Sequence, residues 1–142
     1  MSIVKTYALT TETAPTGLYV SSDLGLTWTQ ATAAGLSANK LNDIKAAPYN
    51  PDTVLVASDT SISRSIDGAE SFTNAYSGEC YRLFYKDLDS VIGIPHGAGH
   101  SIIISNNNGE SFTPTTTDII SQLAVGADTS LNIFVTAIYF TN

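Results

Sequence analysis

Ser21-Ser22-Asp23-Leu24-Gly25-Leu26-Thr27-Trp28 is the stretch on which the fold turns, because the chain carries its pattern three times. Ser65-Ile66-Asp67-Gly68-Ala69-Glu70-Ser71-Phe72 and Ser105-Asn106-Asn107-Asn108-Gly109-Glu110-Ser111-Phe112 follow the same rule: Ser-x-Asp/Asn-x-Gly/Ala-x-Ser/Thr-aromatic. Asp23, Asp67 and Asn107 stand 44 and 40 residues apart, a pitch typical of a four-stranded propeller blade. Each part of the motif suits a tight hairpin. Glycine supplies positive φ, and an Asp or Asn side chain can bond the turn's own amides. The flanking hydroxyls serve the same backbone. Gly68, beside Ala69, is expected to take the strained position in the second copy. Trp28, Phe72 and Phe112 are expected to wedge between neighbouring sheets.

Working outward, apolar residues alternate at period two with many β-branched side chains, and no helical stripe is visible. Residues 5–10 and 17–22 read as strands, and 27–32 continues the hairpin after the first motif. The second unit reads as strands over 41–47, 53–58, 61–65 and 71–75, with a Pro/Asn/Asp turn at 48–52. The third matches it over 81–86, 90–95, 100–105 and 111–115. A partial fourth unit spans 119–142, with strands at 120–126 and 132–136. Residues 137–141 look like 17–21, as if a fourth motif were about to begin. The fold class is therefore all-β: a single domain over 1–142, forming an arc of three four-stranded blades plus part of a fourth.

The three motifs closely resemble the Asp-box, or BNR, repeat of sialidases and related β-propellers. The resemblance spans essentially the whole chain. It implies that Ser21, Asp23, Gly25, Thr27, Trp28, Ser65, Asp67, Gly68, Ser71, Phe72, Ser105, Asn107, Gly109, Ser111 and Phe112 are structural. In that family the box is a peripheral hairpin away from the ligand face. A propeller closes with roughly four to eight blades, and an open arc exposes sheet edges and apolar faces. The expected remedy is a homo-oligomer, a dimer favoured over a cyclic trimer, closed through Ile138, Tyr139 and Phe140 of a neighbouring copy.

Bulk composition narrows the function. The chain has 142 residues, a net charge of −7 and only six Lys and Arg, scattered rather than clustered, which argues against nucleic acid as a partner. Charged residues make up 13%, about half the usual share. Nothing approaches an apolar membrane span, and residues 1–7 lack the features of a secretory signal, so a soluble protein is expected. Cys80, the single cysteine, reads as a small hydrophobe.

Candidate chemistry is sparse. The sialidase resemblance would imply three arginines on the substrate carboxylate, but the chain has Arg64 and Arg82 alone. His96 and His100 flank a Gly-rich loop with no further metal-ligand types nearby, so neither a metal nor a cofactor is expected. Tyr49, Tyr76 and Tyr81 are the aromatics outside the motifs best suited to sugar stacking or protein contact, with His96 and His100 as further contacts. The composite expectation is a non-enzymatic, self-assembling propeller subunit of a phage virion (neck, tail or capsid decoration), bound to other virion proteins. An oligomeric lectin binding glycans is the alternative, and a glycosidase ranks third.

Overall fold

Period-two alternation yields strands throughout the computed structural model, which describes residues 4–10, 17–38, 40–95 and 101–115, and the backbone of two further strands at 122–127 and 133–138. The strands are β1 (Thr6–Leu9), β2 (Leu18–Ser21), β3 (Thr29–Gln30), β4 (Leu41–Ala47), β5 (Asn50–Ser58), β6 (Ser61–Ser65) and β7 (Thr73–Ser77). They continue with β8 (Arg82–Tyr85), β9 (Val91–Ile94), β10 (Ile103–Ser105), β11 (Thr113–Pro114), β12 (Gln122–Ala127) and β13 (Ile133–Ile138). Each sheet is an antiparallel meander of consecutive strands: β1-β2-β3, then β4-β5-β6-β7, then β8-β9-β10-β11, then the pair β12-β13. Sheets of three and four strands in series are what a partial β-propeller requires.

Two apolar seams hold the sheets together. In the first, Leu18 of β2 meets Val54 and Val56 of β5, with Leu36, Leu41, Ala69 and Phe72. In the second, Leu55, Ala57 and Ile62 meet Leu83, Val91, Ile103 and Phe112, with Cys80. Successive residues of β5 thus serve opposite seams, as the pleat demands. Packing on both faces explains why 53–58 is fully buried and why 54–57 is a continuous apolar run.

Several sequence expectations need correction. β5 starts at Asn50, so the turn shrinks to Pro48-Tyr49; the Asn50 side chain accepts the Asp52 amide at 3.1 Å, and a register shift precedes Ala47. The last strand of each sheet is shorter or later than expected, because the motif's own turn consumes the residues before Thr29, Thr73 and Thr113. β13 runs unbroken through Ala137 and Ile138, paired along β12. Residues 137–138 therefore belong to the second strand of their sheet, not to a strand leading into a fourth motif. Tyr139 and Phe140 lie outside the described residues, as does the side chain of Ile138.

Candidate functional site

The motif turns share one hydrogen-bond pattern. Ser21 Oγ accepts from the Gly25 amide at 2.8 Å and donates to Asp23 Oδ1 at 2.7 Å. Asp23 accepts the Thr27 amide at 2.9 Å and the Thr27 hydroxyl at 2.6 Å. In the second turn, Ser65 Oγ accepts from Ala69 N at 2.9 Å, and Asp67 accepts from the Ser71 amide at 2.9 Å and from the Ser71 hydroxyl. In the third, Asn107 Oδ1 accepts the Ser111 amide at 3.1 Å, but its Nδ2 donates to Ser111 Oγ at 2.9 Å. The amide thus keeps the contact by reversing one bond's direction.

Both central residues of each turn are left-handed: Leu24 and Gly25 (φ 61° and 87°), Gly68 and Ala69 (77° and 74°), Asn108 and Gly109 (54° and 75°). This is the pattern of type I′ turns. Gly68 therefore does not relieve Ala69, which adopts positive φ itself. Bonds from Thr27 and Ser71 hold Asp23 and Asp67 at a pKa of about 2, below the ordinary carboxylate value.

The three aromatics diverge. Phe72 and Phe112 are 6% and 7% exposed, each in the seam with the preceding sheet, whereas Trp28 is 40% exposed. Its indole N–H donates to Gly25 O at 3.0 Å. Trp28 is not a wedge between two described sheets, because none precedes its own.

The meander sorts the loops onto two ends. Gly68 N donates to Asp52 O, and Asn108 N to Asp89 O. These bonds place the first turn of the second and of the third sheet beside the motif turn of the same sheet. Gly78 N donates to Thr60 O at the opposite end. Tyr49 therefore lies at the motif end, 83% exposed, beside an open cleft of about 410 Å³ lined by Val4, Lys5, Ala46, Ala47, Pro48 and Pro51. Tyr81 lies at the opposite end, 38% exposed. Tyr76 packs against the second seam. The three tyrosines do not form one surface, and His96 and His100 lie outside the described residues.

Sequence reasoning missed the inner-strand bridge at the end away from the motifs. Asn42 Nδ2 donates to Cys80 O at 2.8 Å, and Asp43 Oδ2 accepts from the Leu83 amide at 2.9 Å. Asp43 Oδ1 receives Lys45 Nζ at 2.7 Å and the Ile44 amide at 2.9 Å. A register shift between Leu41 and Asp43 aims this buried carboxylate across to β8, an irregularity that alternation alone does not signal. The Arg82 guanidinium carbon sits 5.1 Å from the centroid of the Tyr81 ring. Asp59 and Glu79 are further carboxylates of that end among the described residues; Asp59 Oδ1 accepts the Lys40 amide at 3.3 Å. Burial pushes the Cys80 thiol up to about 12, which removes it as a nucleophile at neutral pH. Among the described residues, no group of three His, Cys, Asp or Glu side chains could hold a metal ion, and no helix is long and apolar enough to cross a membrane.

No protein-family model and no curated protein matches the chain. Among solved structures, an ancestral GH74 enzyme superposes with a TM-score of 0.69 at 16% identity, over 86% of this chain and 18% of its own. The GH74 enzyme of Niastella koreensis gives 0.67 at 19% identity, over 95% of this chain and 21% of its own. The chain thus spans about a fifth of either enzyme. GH74 enzymes are β-propeller glycoside hydrolases, and at these identities the likeness establishes a propeller-type fold. It also overturns the expectation of a non-enzymatic subunit and the low rank given to a glycosidase, because both of these solved structures are GH74 enzymes.

Proposed function

We propose that the chain forms blades of a carbohydrate-cleaving β-propeller, with the end opposite the motif turns as its substrate face. The observation that carries this reading is the superposition of nearly the whole chain on two GH74 enzymes. Glycoside hydrolysis generally needs a pair of carboxyl groups, one able to hold a proton near neutral pH. Asp23 and Asp67 are poorly suited, being bonded into their turns with pKa values of about 2. We assign them, with their Ser and Thr partners, the role of Asp-box hairpin locks. Asp43 is occupied by the β4–β8 bridge. Among the described residues, Asp59 and Glu79 are the carboxylates of that end left to take part in hydrolysis.

The ring needs further sheets, and the exposed face around Trp28 supports stacking of another blade there. A second copy of the chain is the donor we favour. The test is incubation of the assembled protein with a panel of soluble polysaccharides, followed by measurement of new reducing ends. Release that falls about 100-fold or more in D59N or E79Q is expected. Absence of release from every polysaccharide would overturn the hydrolase reading.

A further inference from the structure

Leu24 stands where the other two motif turns have Gly68 and Asn108. It does so at a φ of 61°, a conformation that favours glycine and asparagine over a bulky side chain. The residue is 75% exposed. The matching positions are covered by the preceding sheet: Gly68 is buried, and Asn108 O accepts Arg64 Nε at 3.0 Å. Phe72 and Phe112 are likewise buried where Trp28 is exposed. The first motif turn thus presents an apolar pair, Leu24 and Trp28, on the face that in the second and third sheets meets a neighbour.

The third sheet carries the converse surface. At one register position the middle strands pair Tyr7 with Val20 in the first sheet, Leu55 with Arg64 in the second and Ile92 with Ile104 in the third. The first two pairs are engaged: Tyr7 and Val20 pack on the first seam, Leu55 fills the second, and Arg64 reaches the third motif turn. Val91 and Ile103 point into the second seam, so by the pleat Ile92 and Ile104 face away from it. Phe84 and Thr113 extend that outward row across all four strands. No motif turn among the three is left to meet it, and a cleft of about 220 Å³ opens beside Ile104 and Thr113.

We propose that Leu24 and Trp28 of one copy seat on the Ile92–Ile104 face of a second copy, joining the chains head to tail. The two surfaces differ, so the contact is heterologous and leaves each copy able to bind another. The side chains match in kind. Where the second sheet sets Arg64 against the polar Asn108, the third offers Ile104, apolar like the Leu24 it receives; an arginine there would lose its water against leucine. Burial of that leucine offsets the strain of its left-handed backbone. The inference rests on the reading that a second copy supplies the further sheets, and names the surfaces that meet.

The experiment is sedimentation of the full chain over a range of concentrations, with circular dichroism to confirm that each variant keeps its strands. L24E and I104K should each raise the dissociation constant about tenfold or more, by burying an unpaired charge. The L24E/I104K chain, which places both charges in every contact, should recover most of the affinity and lose that recovery at about 1 M salt. T113K, on the exposed last strand of the same row, replaces I104K if that variant does not fold. Single chains at every concentration would overturn both this pairing and the second copy as donor. Association that L24E leaves unchanged, or a double variant as weak as L24E alone, overturns the pairing only. So does recovery on mixing L24E with L24K, since Leu24 would then face its own counterpart. Release of reducing ends remains the separate measure of the hydrolase reading, so either can fail without the other.

Discussion

A single atom separates the third motif turn from the other two, and it changes how the turn responds to acid. Asp23 and Asp67 have pKa values of about 2, lowered from 3.8 chiefly by the hydroxyls of Thr27 and Ser71. A depressed carboxylate contributes stability that is present above its unfolded pKa and lost as pH falls through the folded one. Chemical denaturation between pH 7 and pH 2 should therefore show stability dropping from about pH 4 towards pH 2. The D23N/D67N double variant should flatten that limb, since Asn107 already shows that an amide fits the turn. The left-handed positions separate in the same way. A Cβ on Gly109 would lie 2.5 Å from a Leu55 methyl, whereas one on Gly25 would meet the Trp28 ring at 3.5 Å. G109A should cost about 2 kcal/mol or more, through strain plus overpacking. G25A should cost about 1 kcal/mol, through strain alone. Thermal melts of the two variants make the comparison.

Between strands and seams, the same aromatic position does two jobs. Phe72 and Phe112 fill seams, so F72A and F112A should each cost about 3 kcal/mol or more by denaturant titration. W28A, at a site 40% exposed, should cost the isolated chain less than about 1 kcal/mol. The elements themselves were legible in the sequence where alternation and turn chemistry agreed: Leu41–Ala47 and Ser61–Ser65 begin and end as read. They were not legible where a tertiary contact decided the outcome. The register shift that frees Asp43 to reach Leu83 belongs to the joint between β4 and β8. The opposite placement of Tyr49 and Tyr81 follows from strand direction, which residue spacing does not reveal without the topology. Ala69 shows a local rule overridden: its methyl is buried in the first seam, and the turn's bonds to Ser65 and Asp67 hold it at positive φ.

For the whole molecule, the exposed first face predicts association. Native mass measurement should find a species heavier than one chain, and W28A should shift it towards the single chain. Among the described residues, the first seam carries a backbone reinforcement that the second does not share. Ala33 N and Ala34 N donate to Ala69 O and Glu70 O, and Phe72 N donates back to Ala34 O, so the connector after β3 is laid along the second motif turn. Gly35 permits this approach, since a Cβ there would lie 2.5 Å from the Phe72 carbonyl oxygen. Each sheet is complete once its own consecutive strands exist, so a growing polypeptide can zip one meander before the next is synthesised. The seams close in the same order. A nascent chain that has emerged as far as Ser77 has its first seam clasped by backbone bonds, while Leu55, Ala57 and Ile62 still await the third sheet. In that interval one apolar face is sealed and the next is bare, a surface open to association with a neighbouring copy.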